Sequence, residues 1–321
     1  MTTNVKPVAI EEIRAARERI ADAIVRTPLV RLNLENTPAE IYLKLENLQP
    51  IGSFKLRGAG NAMLSAPREQ LADGVWTASA GNMAQGVAWY AKRLGVHCTV
   101  VAPDHAPETK LSALKRLGAD VVKTPFESWF RILSTREFEG MHGLFIHPVS
   151  DRAVMAGNGT IGLEILEDLP DVDAVVIPYG GGGLSCGIAS AIRGLKPDTK
   201  VYACEVSTAA PLAPSFAAGS PQEVAYTATF VDGMGGPRVL AEMWPLVSRL
   251  LDGSLVVELE EIAAAIRLLA ERNRIIAEGA GASPVAAALA GKAGTGKVVC
   301  VVSGGNIDMA KLITILQGGM P

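Results

Sequence analysis

The sequence predicts an α/β protein on mostly parallel strands, divided into two domains. Short runs rich in Val, Ile and Ala alternate with longer amphipathic stretches, the pattern of strand–helix units whose helices cover the sheet. The 321 residues suffice for a large core and for more than one domain. Two glycine-bearing turns, within 78–86 and 179–184, each join an apolar strand to a helical stretch.

Taken along the chain, a helix is expected over residues 10–23. An apolar strand at 41–44 leads toward a helix that starts near Lys55. Strands follow at 74–77, 98–102 and 120–123, with helices over 82–94 and 107–117 between them. Gly95 and Gly118 suit the left-handed residue that ends a helix, and Pro107 suits a first helical position, where no N–H is needed. Further strands are expected at 174–178, 200–205 and 298–302, and helices at 184–193, 237–249, 259–273 and 308–316. No short repeat or low-complexity tract interrupts this order, and no regulatory extension is read after the last helix.

Composition excludes several classes. Hydrophobic residues make up 49% and charged residues 20%, with a net charge of −3. This is an ordinary globular balance without the basic footprint of a nucleic-acid binder. No apolar run of about 18 residues suggests a membrane span, and the first residues lack the apolar core of a signal peptide. Cys98, Cys186, Cys204 and Cys300 are far apart and lie in or beside apolar stretches, which reads as buried free thiols in a reducing cytoplasm. The four histidines show no metal-ligand spacing, so no metal site is expected.

The most informative stretch is residues 52–58, Gly-Ser-Phe-Lys-Leu-Arg-Gly. A lysine at a helix start sits in the positive end of the helix dipole, which favours the neutral amine that forms imines with carbonyl cofactors. Taken alone, Lys55 reads equally well as a solvated lysine. Residues 78–86, Ala-Ser-Ala-Gly-Asn-Met-Ala-Gln-Gly, let a ligand approach the backbone and offer the N–H groups of the next helix to an anion. Asn82 there reads as a helix cap, a ligand contact, or both. Residues 175–184, Val-Val-Ile-Pro-Tyr-Gly-Gly-Gly-Gly-Leu, form a candidate phosphate cradle of backbone amides. They do not match the dinucleotide or P-loop spacings. Ser303 ends a buried strand, where α/β ligand crevices form.

In this order, Ser-Phe-Lys-x-Arg-Gly, Ser-x-Gly-Asn, Gly-Gly-Gly-Gly-Leu and Ser-Gly-Gly-Asn resemble the fold-type II pyridoxal-phosphate enzymes (tryptophan synthase β-like). The likeness is to the threonine/serine dehydratase and serine racemase group, and it runs from Arg26 to Asn306. The resemblance implies a large domain of residues 1–52 plus 154–321 and a small domain of 53–153 with the substrate loop, each an open, mostly parallel sheet flanked by helices. It implies that Lys55 holds pyridoxal 5'-phosphate as a Schiff base and serves as the catalytic base. Phe54 would pack on the pyridine ring and Asn82 would bond its hydroxyl. Gly180, Gly181, Gly182, Gly183 and Leu184 would hold the phosphate, Ser303 would meet the ring nitrogen, and Glu278 would lie near the cofactor. Ser79, Ala80, Gly81, Asn82 and Met83 would form the substrate loop, with Arg131 reaching the substrate carboxylate.

The implied activity is elimination of water from a β-hydroxy α-amino acid of the L-threonine or L-serine type, giving a 2-oxo acid and ammonia. The implied setting is a cytoplasmic homodimer without nucleic-acid or membrane partners. A neutral serine at the ring nitrogen would leave the Cα carbanion less delocalised than a carboxylate would, suiting prompt loss of a β-leaving group. Ala80 stands where serine racemases carry a second serine, and its methyl cannot carry a proton, which favours dehydratase over racemase. Met83 replaces the usual histidine and, with Trp129 and Phe130, suggests room for a bulkier substrate such as L-threo-3-phenylserine, with local repacking as the other reading. Glu205 resembles a divalent-cation carboxylate whose second partner is here Pro211, a poor cation site. The absent regulatory extension points to a catabolic or specialised enzyme. A racemase, a β-replacement synthase and a non-catalytic cofactor-binding protein of the same fold stay open.

Overall fold

The structure is a computed structural model that describes residues 6–106 and 108–321. The expected helix start at Pro107 lies outside the described residues. In chain order the strands are β1 (Leu29–Arg31), β2 (Glu40–Leu45), β3 (Val75–Ala78), β4 (Cys98–Pro103), β5 (Asp120–Thr124), β6 (Leu144–Phe145), β7 (Ala174–Pro178), β8 (Lys200–Val206), β9 (Gly253–Val257) and β10 (Lys297–Val302). They form a six-stranded sheet, β1-β2-β10-β7-β8-β9, and a four-stranded sheet, β5-β4-β3-β6. Every pair is parallel except β1 with β2.

The helices are α1 (Ile10–Ile20), α2 (Lys55–Ser65), α3 (Arg68–Leu71), α4 (Asn82–Leu94), α5 (Glu108–Arg116), α6 (Phe126–Thr135), α7 (Arg152–Asp168), α8 (Gly183–Leu195), α9 (Leu212–Ala218), α10 (Trp244–Leu250), α11 (Leu259–Leu268), α12 (Gly279–Leu289) and α13 (Met309–Leu316). None is long and apolar enough to cross a membrane.

Side-chain alternation decides what each sheet face meets. In β10, Val298, Cys300 and Val302 point into a core shared with α11, α12 and α13. Val299 and Val301 point into the opposite core, shared with α1, α7 and α8. Burial on both faces is why these strands read as continuous apolar runs. In the four-stranded sheet, Val75 and Val100 pack under α2 and α4, and Trp76 and Val101 pack on Ile132 of α6. All four cysteines are buried free thiols.

Two expected helices differ. The predicted helix over 237–249 starts only at Trp244, because Pro245 lies at the start of α10 and proline is tolerated only in a first turn. The predicted helix over 259–273 is α-helical to Leu268 and then widens to a π-turn, Leu269–Asn273. Asp151 opens α7, its carboxylate accepting from the amides of Ala153 and Val154.

The β2–β10 register pairs Leu45 with Val302, and β7 lies on the other side of β10. Three parallel neighbours thus end at one edge. β2 leads to the Lys55 motif, β10 to Ser303, and β7 to the four glycines, which gathers segments far apart in sequence at the carboxyl edge where open α/β sheets bind ligands. β3 leads to the Ser79–Asn82 loop from the other sheet.

Candidate active site

Lys55 takes the first position of α2, and the residues before it are pinned to β10. Ser53 bridges Gly304, and the Phe54 amide donates to Ser303 O at 2.9 Å. Lys55 Nζ donates to Pro148 O at 2.9 Å and lies 5.1 Å from the centre of the Phe54 ring. Burial pushes its ammonium down to about 8, and the Glu278 carboxylate pulls the other way. Roughly one amine in ten is then neutral at pH 7. Desolvation, more than the helix terminus, is the main cause.

The glycine run turns from β7 into α8. Gly182 has φ +99° and is the N-cap of α8 without a side-chain hydrogen bond, so no capping side chain occupies the anion-binding end of the helix. A Cβ on Gly181 would sit 2.6 Å from Val149 Cγ2, and one on Gly183 would sit 2.6 Å from Val149 O. Gly183 O accepts from Asn158 Nδ2 at 3.2 Å, and Leu184 is buried.

Residues 147–150 form a strap from Lys55 to this cradle. Pro148 O holds the lysine amine and Val149 packs on the glycines. His147 fixes the strap: its Nδ1 accepts from the Val149 and Ser150 amides at 3.0 and 2.9 Å, so Nε2 carries the proton and donates to Leu133 O at 2.9 Å. Burial pushes this imidazole down to about 4, keeping it neutral.

The Ser79–Asn82 loop leaves β3. Ser79 Oγ accepts from the Gly81 amide at 3.2 Å. Ala80 is half-buried, against Ala102, Ala106 and Leu111. Gly81 is the N-cap of α4, so Asn82 is the first helical residue instead of the cap. Its Nδ2 donates to Glu278 Oε1 at 2.8 Å, and its Oδ1 accepts from Asn306 Nδ2 at 2.8 Å. Asn306 also donates to Ile51 O at 2.8 Å, which ties the loop to β10 and to the lysine segment.

Glu278 N-caps α12, and Oε1 would lie 2.5 Å from a Cβ on Gly304. Burial pushes its carboxyl up to about 7; Asp232 adds to this, while Lys110, Asn82 and Lys55 oppose it. With the folded value above the unfolded one, the protonated form stabilises the fold below pH 4.5, and this contribution is lost as pH rises through about 7. Glu278→Gln keeps the acceptor for Asn82 and removes the titration. Its Tm relative to wild type should therefore rise between pH 5 and pH 8, by the equivalent of about 3 kcal/mol. Parallel thermal melts across that range check this.

Some expected residues do not converge here. Met83 is 2% exposed and packs in the small-sheet core with Val87 and Ala91, because the helical period that starts at Asn82 turns positions 83, 87 and 91 inward. It is therefore not a site wall. Trp129 packs on Trp76 and Val101, and Phe130 lies under the Arg238 guanidinium at 5.3 Å. Arg131 is exposed. Arg136, five residues later, is the arginine that approaches the strap, donating to Ser150 Oγ at 2.7 Å and facing Glu242 at 3.7 Å. Glu205 accepts from the amides of Leu212 and Ala213 and from Ser254 Oγ, so its carboxylate caps the start of α9.

These residues fit pyridoxal phosphate: a desolvated amine, an uncapped helix terminus in a cradle that side chains would fill, and Ser303, 2% exposed, at the adjoining strand end.

Comparison with known proteins agrees. The model of the family described as pyridoxal-phosphate dependent enzyme matches residues 20–304. The L-threonine ammonia-lyase of Geobacter sulfurreducens is 43% identical over 315 residues, 96% of this chain and 78% of that protein. The catabolic L-threonine dehydratase TdcB of Staphylococcus aureus strain N315 is 40% identical over 98% of this chain and 93% of its own length. Maize serine racemase superposes with a TM-score of 0.88 at 32% identity, covering 98% of both chains. Threonine deaminase isoform 2 of Solanum lycopersicum does so at 0.86 and 34%, covering 98% of this chain and 96% of that one. The lysine, the glycine cradle and the strand-end serine thus stand in a chain that belongs to the pyridoxal-phosphate dependent enzymes, in their threonine/serine dehydratase and serine racemase group, as a lyase of that family.

Proposed function

We propose that this protein is an L-threonine ammonia-lyase, converting L-threonine to 2-oxobutanoate and ammonia, with L-serine a slower substrate. The observation that carries this reading is one proton carrier where a racemase needs two. Lys55 offers a desolvated amine, while Ala80 on the substrate loop offers only a methyl. The names of the relatives support the same choice.

Pyridoxal phosphate, held by Lys55 and the cradle at 180–184, would supply the electron-withdrawing ring that makes the substrate Cα proton removable. The protein's part follows from its own groups. Amides of Ser79–Asn82, at the positive end of α4, bind the substrate carboxylate. The cradle at 180–184 fixes the phosphate. Lys55 Nζ would take the Cα proton as general base and return it to the β-hydroxyl, which leaves as water; the released enamine then takes a water back up and gives the 2-oxo acid and ammonia. Closure of the four-stranded sheet over the site excludes bulk water. The domain division at residues 53 and 153, a cytoplasmic setting and a homodimer belong to the same proposal, the four buried thiols fitting a reducing compartment.

Purified holoenzyme tests the reading through 2-oxo acid release from L-threonine, L-serine, L-threo-3-phenylserine and L-threo-3-hydroxyaspartate. L-Threonine should be fastest. With Met83 buried in the core, the feature that favoured an aromatic substrate is removed, so phenylserine should trail. Release from none of the four, or D-amino acid formation faster than 2-oxo acid release, overturns the proposal.

A further inference from the structure

Arg57, the arginine of the Ser-Phe-Lys-x-Arg-Gly motif, is fully buried two residues beyond Lys55. Its guanidinium clamps two carboxylates. Nε and Nη2 donate to Glu46 at 2.8 Å each. Nη1 and Nη2 donate to Glu164 at 2.6 and 2.9 Å. Thr160 Oγ1 accepts from Nη1 at 3.0 Å. Lys44 Nζ completes the cluster, donating to Glu164 at 2.6 Å and to Thr27 O at 2.6 Å. Thr27 Oγ1 and Gln49 Nε2 donate to Glu46 at 2.6 and 3.2 Å. Two cations and two carboxylates thus cancel, and all four carboxylate oxygens accept hydrogen bonds.

Such clusters are poor stabilisers, since apolar side chains of like volume usually do as well. What this one does is mechanical. α2 is shared between two bodies: Leu56, Ala59, Ala62 and Met63 pack in the core of the four-stranded sheet, whereas Phe54 packs in the core of the six-stranded sheet. Glu46 follows β2 in a turn that contacts β10, and Glu164 lies on α7, whose apolar side chains share a core with the six-stranded sheet. Gly157 packs so tightly on Arg57 O that a Cβ would overlap it. The start of α2 is therefore bolted through Arg57 to the sheet that carries the phosphate cradle and Ser303, while Leu56 and the later turns pack with the sheet that carries the substrate loop.

We infer that Arg57 is a positioning residue: its double carboxylate clamp fixes the first turn of α2 so that Lys55 Nζ keeps its place relative to the glycine cradle and Ser303 when the substrate-loop sheet moves. Lysine cannot replace it, because an ammonium lacks the planar fork that grips two carboxylates at once. The inference rests on Lys55 as the cofactor lysine and not on the choice of substrate.

The test uses holoenzyme and three readouts: visible circular dichroism of the bound cofactor, kcat and KM with L-threonine, and Tm. The dichroism needs no substrate, and wild-type turnover in the same assay judges the substrate reading separately. Arg57→Lys should lose about half or more of the dichroism per bound cofactor and about 10–100-fold in kcat, with KM within about threefold, as misplacement of a reacting group by an ångström does. Leu43→Ala, a cavity in the opposite core of β2, should lower Tm comparably while leaving dichroism and kcat within about twofold. Wild-type dichroism and kcat in Arg57→Lys, or equal losses in Leu43→Ala, overturn the inference. If Arg57→Lys does not retain cofactor, Thr160→Val decides: a smaller loss of both signals supports the clamp, and unchanged signals overturn it.

Discussion

Lys55→Ala should produce a folded protein without the visible imine absorbance and with 2-oxo acid release reduced at least about 10³-fold, since the proposed imine formation and proton removal both call on this amine. Lys55→Arg should be equally inactive, because a guanidinium does not shed its proton near neutral pH. Folding should survive, as the side chain contributes one hydrogen bond, to Pro148 O. The linkage has a definite sign. Burial depresses the folded value to about 8, so charging the buried amine costs nothing above pH 10.5 and its full amount below about pH 8. Compared without cofactor at pH 7, Lys55→Ala should therefore melt no lower than wild type, and higher by an amount of order 1–3 kcal/mol. The loss of activity would then have no stability explanation. A visible spectrum, an activity assay and a melt of one preparation measure all three.

Gly183→Ala should cost about 100-fold or more in cofactor affinity, the equivalent of one or two hydrogen bonds to a charged phosphate. The new Cβ would lie 2.6 Å from the carbonyl oxygen of Val149, which is backbone and cannot rotate away. Either the start of α8 or the strap must shift. A shift of α8 spoils the amides proposed to hold the phosphate, and a shift of the strap carries Pro148 O off Lys55. Gly180→Ala is the contrast, for its Cβ would come no closer than 3.7 Å to Met234 Cα and 4.0 Å to Gly235 N. It should bind cofactor within a few-fold of wild type, because ordinary van der Waals contact requires no backbone movement. Absorbance titration of each variant with pyridoxal phosphate yields both affinities. Equal affinities for Gly183→Ala and Gly180→Ala would show that the cradle does not grip the phosphate through these amides.

Much of the fold was legible because its strands are short, apolar and bounded by turn residues. β7 and α4 match their predicted limits, and α4 ends at Gly95 with φ +66°. α7 was missed for a physical reason. Val154 to Ile165 are buried without interruption, so no polar face gives the helix a period. α12 is the same, buried from Gly279 to Ala288 with Pro284 inside.

At the site, the backbone-defined parts were readable, since glycines and a strand-end serine announce themselves in sequence. Side-chain direction was not. Met83 looked like a pocket wall until the start of α4 set its phase. Arg131 and Arg136 could not be told apart without the register of α6. Asn306, which holds Asn82, and Arg57 were both visible in their motifs, but Asn82 is 224 residues from Asn306 and Glu164 is 107 residues from Arg57, separations that no local pattern reveals.

The place of β10 between β2 and β7 has a consequence for biosynthesis. β2 and β7 belong to the first 178 residues, yet in the finished sheet neither touches the other. The strand that joins them ends at Val302 and leaves the ribosome long after both. Until it inserts, the lysine segment and the glycine cradle have no common frame, and the edges of β2 and β7 stand open. Assembly must then proceed through long-range parallel pairing, the slowest kind to form. Until then those open edges are the part of the growing chain most exposed to pairing with another chain.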